Sequence, residues 1–578
     1  MRPRAPIDAT TEYTMSMSRF TELVEVLNAS EELAEVEGAF DRSTGRRREC
    51  PVRALFFGLL AIGAQQGHRM HLIEAARALN GLSPRQRRLL GFKRYWDDEQ
   101  TYDRLDRTWN EVVRWLEANQ TDEERGVLSA DIWLSNDLVE ASIADDMPLS
   151  RTLVADGTDL ETWGHIHGDE KTIELDGDAL ETLEAELAED EDEPRLRPTR
   201  ARRRAKVLGI GPDGRRIYTA DESARGGHRS ATNSRNAGPY IGYEPHIITQ
   251  ARNIRSHTFR SATLDDLVPN LIRGISTVPA GSHRGRSSTP VVAHLKARNP
   301  EINELVVDRG YSGLKAETFY MVIRRMGIEL VFDLMERQRG RRPFKTADLL
   351  IDGQLFSRHM PRALQGVDDA DGNLKPFPRP PRNADETARL AAADLFDRRI
   401  PFRLMRQAAL NEKMTSRWRC PVCGGLLKSR AIPETMRRKA SVPLIQIDGD
   451  RCCEQSVISV ELDEMPLWQR YIFGTTGWVI AYSRRSVVEA VNSALQVTFT
   501  SFKKGYQRVF GLTKVSLLVA FSAMGYNLWR ARSWRRAERL SERSQATPTR
   551  PRGKARTSSA SAAASGVPDT SEHDGDPP

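Results

Sequence analysis

The stretch NELVVDRGYSGLKAETFYMVIRRMGIELVFDL, residues 303–334, constrains the fold more than any other. It opens on a short apolar run that reads as a buried strand and passes straight into an Asp-Arg-Gly turn. LKAETFYMVIRRMG then carries apolar residues at helical spacing, with Gly327 placed as a C-cap. IELVFDL is one more strand. Strand, turn, helix and strand in succession make an α/β layer rather than a bundle. Upstream, RTLVADGTDLETWG starts as a short apolar strand and ends in an acidic turn. RRIYTAD and PYIGYEPHIITQ alternate apolar and polar positions and read as strands. Leu264–Ile275 reads as helical.

The first part of the chain has a different pattern. Residues 18–145 read as helices: SRFTELVEVL with a serine cap, CPVRALFFGLLAIGAQQG ending at Gly67, and YDRLDRTWNEVVRWLEANQ with one apolar face. HLIEAARALNGLSPRQRRLLGF has the outline of a helix-turn-helix with Arg85, Arg87 and Arg88 on its second helix. The same letters also describe an ordinary helical hairpin with a solvated basic face. The chain carries 39% hydrophobic and 29% charged residues, as soluble globular proteins do, and a formal net charge of +7. Arginine far outnumbers lysine, and its planar fork suits phosphate, so a polyanionic partner fits the composition. The apolar runs Ala54–Ala64 and Val515–Met524 are too short to span a bilayer. The first twenty residues lack the apolar core of a signal peptide. The expected location is therefore the cytosol, where cysteines stay reduced.

Three stretches interrupt the regular pattern. Residues 169–194 hold 13 acidic residues and one lysine, and residues 195–206 hold seven basic residues and no acid. This block, 169–206, reads as a surface insertion, partly disordered; its run Arg195–Lys206 would either bind DNA nonspecifically or fold back on the acids before it. Residues 336–455 are rich in Arg, Pro and Gly and contain Cys420, Cys423, Cys452 and Cys453. RCPVCGG has the spacing of a zinc knuckle, so these four thiolates would make a structural zinc site stapling the insertion; the adjacent Cys452–Cys453 pair suits this less well, leaving a plain reduced loop as the other reading. Cys50 reads as a packing residue. From about residue 541 the Ser, Thr, Pro and Ala content marks a disordered tail whose basics would anchor weakly to a polyanion.

Chemistry-bearing residues gather at two strand ends and on one helix. Asp156 in VADGT and Asp308 in VVDRG each end a strand, and such carboxylates can converge at one edge of a sheet. In AYSRRSVVEAVNSALQ, residues 481–496, Tyr482, Arg485 and Glu489 stand at i, i+3 and i+7 of a single helix, with Gln496 two turns on. Three carboxylates together repel unless cations neutralise them, and oxygen ligands suit Mg²⁺ or Mn²⁺. Two such ions clamp the attacking and leaving oxygens of a phosphodiester. Arg485 and Tyr482 would face the phosphate. Taken singly, each Asp could be a turn or helix cap, and Arg485–Glu489 a surface pair. Asp159 rivals Asp156 but lies beyond the strand. His165 and His167 could be further ligands, or solvated turn residues entering the charged insertion.

This combination resembles the bacterial insertion-sequence transposases of the DDE class. Tyr482, Arg485 and Glu489 match the spacing of the Tyr-x2-Arg-x3-Glu-x6-Lys signature of one branch, with Gln496 where that signature has Lys. Asp156 in ADGT and Asp308 in VDRGYS stand at the two aspartate positions, and GHRSATN, YIGYEPH and AMGYNLWR also look like family sequence. The resemblance covers roughly residues 20–535. It implies an α/β, ribonuclease H-like mixed sheet with flanking helices, preceded by an all-helical DNA-binding domain and interrupted by the Cys-containing insertion. The segments would be a flexible 1–17, a helical 18–145, a catalytic 146–335, an insertion 336–455, a second catalytic part 456–540 and a disordered 541–578. It further implies Asp156, Asp308 and Glu489 as catalytic ligands of two Mg²⁺ or Mn²⁺ ions, and Tyr482, Arg485 and Gln496 as contacts to DNA. The expected reaction is cleavage at element ends followed by strand transfer. The partners would be terminal inverted repeats, target DNA and a second copy of the chain, with no membrane and with nucleoid association when DNA-bound. A catalytically inactive, transposase-derived DNA-binding protein is the alternative, and a nuclease that cuts without joining is a third reading.

Overall fold

The computed structural model describes residues 14–40, 48–67, 69–119, 129–166, 207–229, 237–258, 261–344, 349–379, 386–407, 411, 413–421, 428–429, 446–447 and 457–546. Residues up to Arg532 belong to one compact unit, and a second unit runs from Ser533. No described helix is long and apolar enough to cross a membrane.

Among the described residues seven helices come first: α1 (Met17–Asn28), α2 (Glu31–Phe40), α3 (Val52–Gly63), α4 (Leu72–Asn80), α5 (Pro84–Leu89), α6 (Asp98–Ala118) and α7 (Ala130–Ala141). The α1 cap is Ser16, whose hydroxyl accepts from Arg19 N at 3.2 Å; the expected cap, Ser18, lies inside the first turn. Helix α3 ends at Gly63, four residues before the expected Gly67, which follows in the left-handed region at φ +84. In the helix-turn-helix outline, Ser83 and Gln86 form a capping box that starts α5. That second helix has only six residues. Arg87 turns inward, donating to Leu82 O at 3.2 Å and stacking on Tyr95, while Arg85 and Arg88 face outward.

The main sheet has seven strands: β1 (Thr152–Gly157), β2 (Leu160–Glu161), β3 (Arg225–Arg229), β4 (Gly238–Ala251), β5 (Ile272–Pro279), β6 (Glu304–Val307) and β7 (Glu329–Phe332). β1, β6 and β7 run parallel, in the order β7-β6-β1. The long β4 is antiparallel to β1 and β2 along one edge and to β3 and β5 along the other. The architecture is thus α/β with a mixed sheet and an N-terminal helical region. Helix α8 (Arg284–Arg298) covers β5 and β4, and α9 (Tyr320–Arg325) joins β6 to β7.

Part of the expected helix Leu264–Ile275 is instead strand: Ser261–Leu264 pairs with Ile254–Thr258, and β5 starts at Ile272. Pro269 removes a helical donor, and Ile272–Pro279 finds a partner in β4. The open edge of β5 is closed by two side-chain amides that imitate a strand. Asn136 of α7 accepts from Ile275 N at 2.8 Å and donates to Ile275 O at 3.1 Å. Asn527 does the same for Ile272 at 2.8 and 2.9 Å. One hydrophobic core runs through both layers, joining Leu23, Phe57, Trp109 and Leu134 to Val154, Ile275 and Val306.

After β7 come two small three-stranded sheets, Arg341–Arg342, Leu349–Ile351 and Gln354–Phe356, then Met405–Arg406, Thr415–Arg419 and Val457–Glu461. Trp418, Ile458, Val460 and Trp468 form part of their separate core. Helix α10 (Glu386–Asp397) precedes a buried pair, Arg399 Nη1 to Asp352 Oδ2 at 2.6 Å. Cys420 is buried with Sγ 3.8 Å from Ser357 Oγ. Cys423, Cys452 and Cys453 lie outside the described residues, as do His167, Arg195–Lys206 and residues 547–578. Cys50 is buried in the core, and burial pushes its thiol up to about 12.

The expected single helix 481–496 is divided. Helix α11 (Thr476–Ser483) and helix α12 (Ser486–Ser493) meet at a tightened turn over Arg484–Arg485, where Arg485 N bonds Tyr482 O and Val487 N bonds Arg484 O. A π-helical turn, Ala494–Thr498, follows. The reason for the break is Arg484, which is drawn into the sheet: Nη2 lies 2.5 Å from Glu304 Oε1, and Nη1 donates to Thr152 Oγ1 at 3.2 Å. The final helix, α13 (Leu512–Ala546), is long, with the basic end the sequence suggests.

Candidate active site

Register puts the two motif aspartates side by side. Ala155 pairs with Val307 across the parallel β1–β6 ladder, so Asp156 and Asp308 each stand one residue further, at the same end of neighbouring strands. Val307 in turn pairs with Phe332, which puts Asp333 of VFDL in the same row at the end of β7. Asp333 was missed in the sequence although its signal, an acid ending an apolar strand, is that of the other two. It is held by Arg379, whose Nη1 lies 2.7 Å from Oδ2.

Asp308 begins the 3-10 turn Arg309–Tyr311, but its side chain makes no capping hydrogen bond. Its Oδ1 is buried without a hydrogen-bond partner, and Oδ2 lies 3.8 Å from Arg284 Nη1. Arg284, the first residue of α8, also reaches Glu244 of β4 at 3.2 Å. Asp156 accepts from its neighbour Gly157 N at 2.9 Å through Oδ1. Burial, then the Asp308 charge, push its carboxyl up to about 7 against the pull of Arg485 and Arg284.

Both motif glycines lie against the ends of charged side chains. A Cβ on Gly157 would lie 2.5 Å from Glu244 Oε1, and one on Gly310 would collide with Arg284 Nη1. The glycines of ADGT and DRGY thus make room for charged groups behind the two aspartates.

Helix α12 lies over β1 and β4 and brings its polar face to this row. Arg485 Nη1 donates to Glu489 Oε1 at 2.6 Å, and Nη2 is 3.9 Å from Asp156 Oδ2. Burial acts to lower the Arg485 pKa, but Tyr482, Asp156, Asp308 and Glu489 together raise it, so it stays a cation. Tyr482, at the end of α11, stacks on Trp478 with centroids 4.8 Å apart. Burial, then the Asp333 charge, lift its hydroxyl well above the usual range, so it stays a hydrogen-bond donor. Asn492 was also missed: Nδ2 donates to Asp156 Oδ2 at 3.4 Å, and its buried Oδ1 has no partner. It lies three residues past Glu489 on the same face, and helical spacing alone could have flagged it.

The other sequence candidates sit further out. Gln496 donates to Thr158 Oγ1 at 2.6 Å and to Asp159 Oδ1 at 3.4 Å, tying the π turn to the β1–β2 connection. Asp159 also faces Arg229 at 3.5 Å. His165 is exposed beyond β2.

Asp308 Oδ1 lacks a partner and Asp156 resists ionisation beside it, and a hard cation would satisfy both. Glu489 is half-exposed and turned to Arg485. Among the described residues no three His, Cys, Asp or Glu side chains are grouped to hold a metal ion, so the aspartate pair fits a cation and Glu489 completes the set only by leaving Arg485.

No family model, no curated protein and no solved structure matches the chain.

Proposed function

We propose that the chain is a DDE transposase with a ribonuclease H-like catalytic domain, cutting DNA at the ends of an insertion sequence and joining them to target DNA. The observation that carries this reading is the register of Asp156 and Asp308 at the ends of adjacent parallel strands, with Arg485, from far along the sequence, 3.9 Å from the Asp156 carboxylate. A mixed sheet with flanking helices is also the layer such a domain requires.

In this reading Asp156, Asp308 and Glu489 would hold two Mg²⁺ or Mn²⁺ ions, which would supply positive charge to the reacting phosphodiester. Arg485, kept cationic by its carboxylates, binds the phosphate as Glu489 lets it go. Tyr482 stays protonated and donates to the same phosphate. Water cleaves the end phosphodiester first; the freed 3′-hydroxyl then attacks a target phosphodiester, so one bond forms for each that breaks. Pairing two ends calls for at least two copies of the chain.

The test is a labelled duplex carrying the element's terminal repeat, with Mg²⁺ or Mn²⁺, for wild type and Glu489→Gln. Equal binding is expected, with nicking and joining lowered in the variant by on the order of 10²-fold or more. A wild-type protein that binds the repeat but cuts it with neither ion would replace this reading with that of a DNA-binding repressor.

A further inference from the structure

The chain leaving α12 exposes a group of basic side chains. Residues 499–510 fold back on Gly67 and on residues 69–71: Gly67 N donates to Phe499 O at 2.7 Å, Met70 N to Tyr506 O at 3.1 Å, and His71 Nε2 lies 2.9 Å from Gly505 O. Arg69, Lys503, Lys504 and Arg508 are exposed there, and none of the four is paired with a carboxylate among the described residues. Burial lowers the pKa of His71, and Arg508 and Arg69 push the same way, so both guanidiniums lie near its ring. Trp163, just past β2 and 42% exposed, lies against Gly505 and carries Arg508 over its ring at 4.7 Å.

Strand β4 gives the distance from Asp156 to Trp163, the side chain that carries Arg508. Asp156 stands opposite Ile247 and Glu161 opposite Gly242, and Thr162 N still bonds Ile241 O, so the chain runs extended along β4 up to Trp163. At ~3.4 Å per residue that span is about 24 Å.

We infer that Arg69, Lys503, Lys504 and Arg508 bind the sugar-phosphate backbone of the duplex DNA flanking the phosphate at Asp156 and Asp308, on the order of 24 Å from it. This rests on the transposase reading for the presence of DNA and adds the path of the duplex. Exposed cations on a phosphate backbone act through release of counterions, so the contact is sequence-independent.

The test measures binding of the full chain to a labelled duplex by fluorescence anisotropy over a range of salt, for wild type, K503A/K504A/R508A and the charge-keeping K503R/K504R/R508K. Each lost phosphate contact removes about 0.9 from the slope of log affinity against log salt, so the alanine variant should lose about 2–3 and the charge-keeping variant almost nothing. Phosphate-ethylation interference on the terminal-repeat duplex should show a wild-type signal in the flanking duplex, several base pairs from the cleaved bond, missing in the alanine variant. An unchanged slope, or interference only elsewhere, overturns the inference and leaves the proposed function standing. A wild type that binds no DNA overturns both.

Discussion

Asp308 occupies a helix-start position without capping it, so the capping role common for an aspartate at a strand end does not account for this side chain. Its Oδ1 stays buried and unpartnered while the Asp156 carboxyl beside it is pushed up to about 7. The unfolded chain releases the Asp156 proton near pH 4, the folded chain near 7. Between those values the folded state binds more protons, so stability falls as pH rises from about 4 to 7 and levels off above. Without divalent cations, Tm should therefore fall from pH 5 to pH 8, and Asp156→Asn should flatten that fall. Mn²⁺ should restore more Tm at pH 8 than at pH 5.5; equal effects at both would remove Asp156 from the metal set. Asp333 shares the row but is already satisfied by Arg379. Asp333→Asn should keep cleavage within about 10-fold of wild type, whereas Asp308→Asn should lose on the order of 10³-fold, as expected for a group acting on the transition state. Equal losses in both variants would make Asp333 a third working carboxylate.

At the scale of elements, much of the site depends on single side chains that join layers. Arg484 binds Glu304 and Thr152 and so seats the turn between α11 and α12 on the sheet. Both partners are almost fully buried, and removing one leaves an unpaired charge. Arg484→Met should cost about 3–5 kcal/mol by chemical denaturation. A loss under ~1 kcal/mol would show that the turn holds without it. Asn136 and Asn527 close the open edge of β5, and replacing either with Leu should cost about 1–3 kcal/mol because the strand's N–H and C=O are left unpaired. These joints explain which elements could be read in advance. VADGT and VVDRG were legible as strands because their apolar runs are buried whatever surrounds them. Leu264–Ile275 was not, since β5 exists only where β4 and two asparagines supply its bonds. The turn over Arg484–Arg485 was hidden for the same reason: the Glu304 that draws Arg484 inward is 180 residues away.

At the scale of the molecule, the N-terminal helices and the sheet share one core. Helix α7 packs on β5, and its Asp137 joins Ser30 of the chain before α2 to Arg298 of α8. Residues 14–145 produced alone should expose this apolar face and show no cooperative thermal transition; a sharp melt would mean the helices fold as an independent domain. By itself the sequence determined the local features: the apolar runs that become strands, the helical periods, the acids at strand ends and the Tyr-Arg-Glu spacing. Each follows from side-chain chemistry and spacing within a few residues. The tertiary structure alone decided that Asp156 and Asp308 fall in register, that Asp333 joins their row, and that Arg284, Glu244 and Asn492 surround them. Those outcomes depend on strand order and on contacts between residues far apart in the chain, which no local pattern encodes.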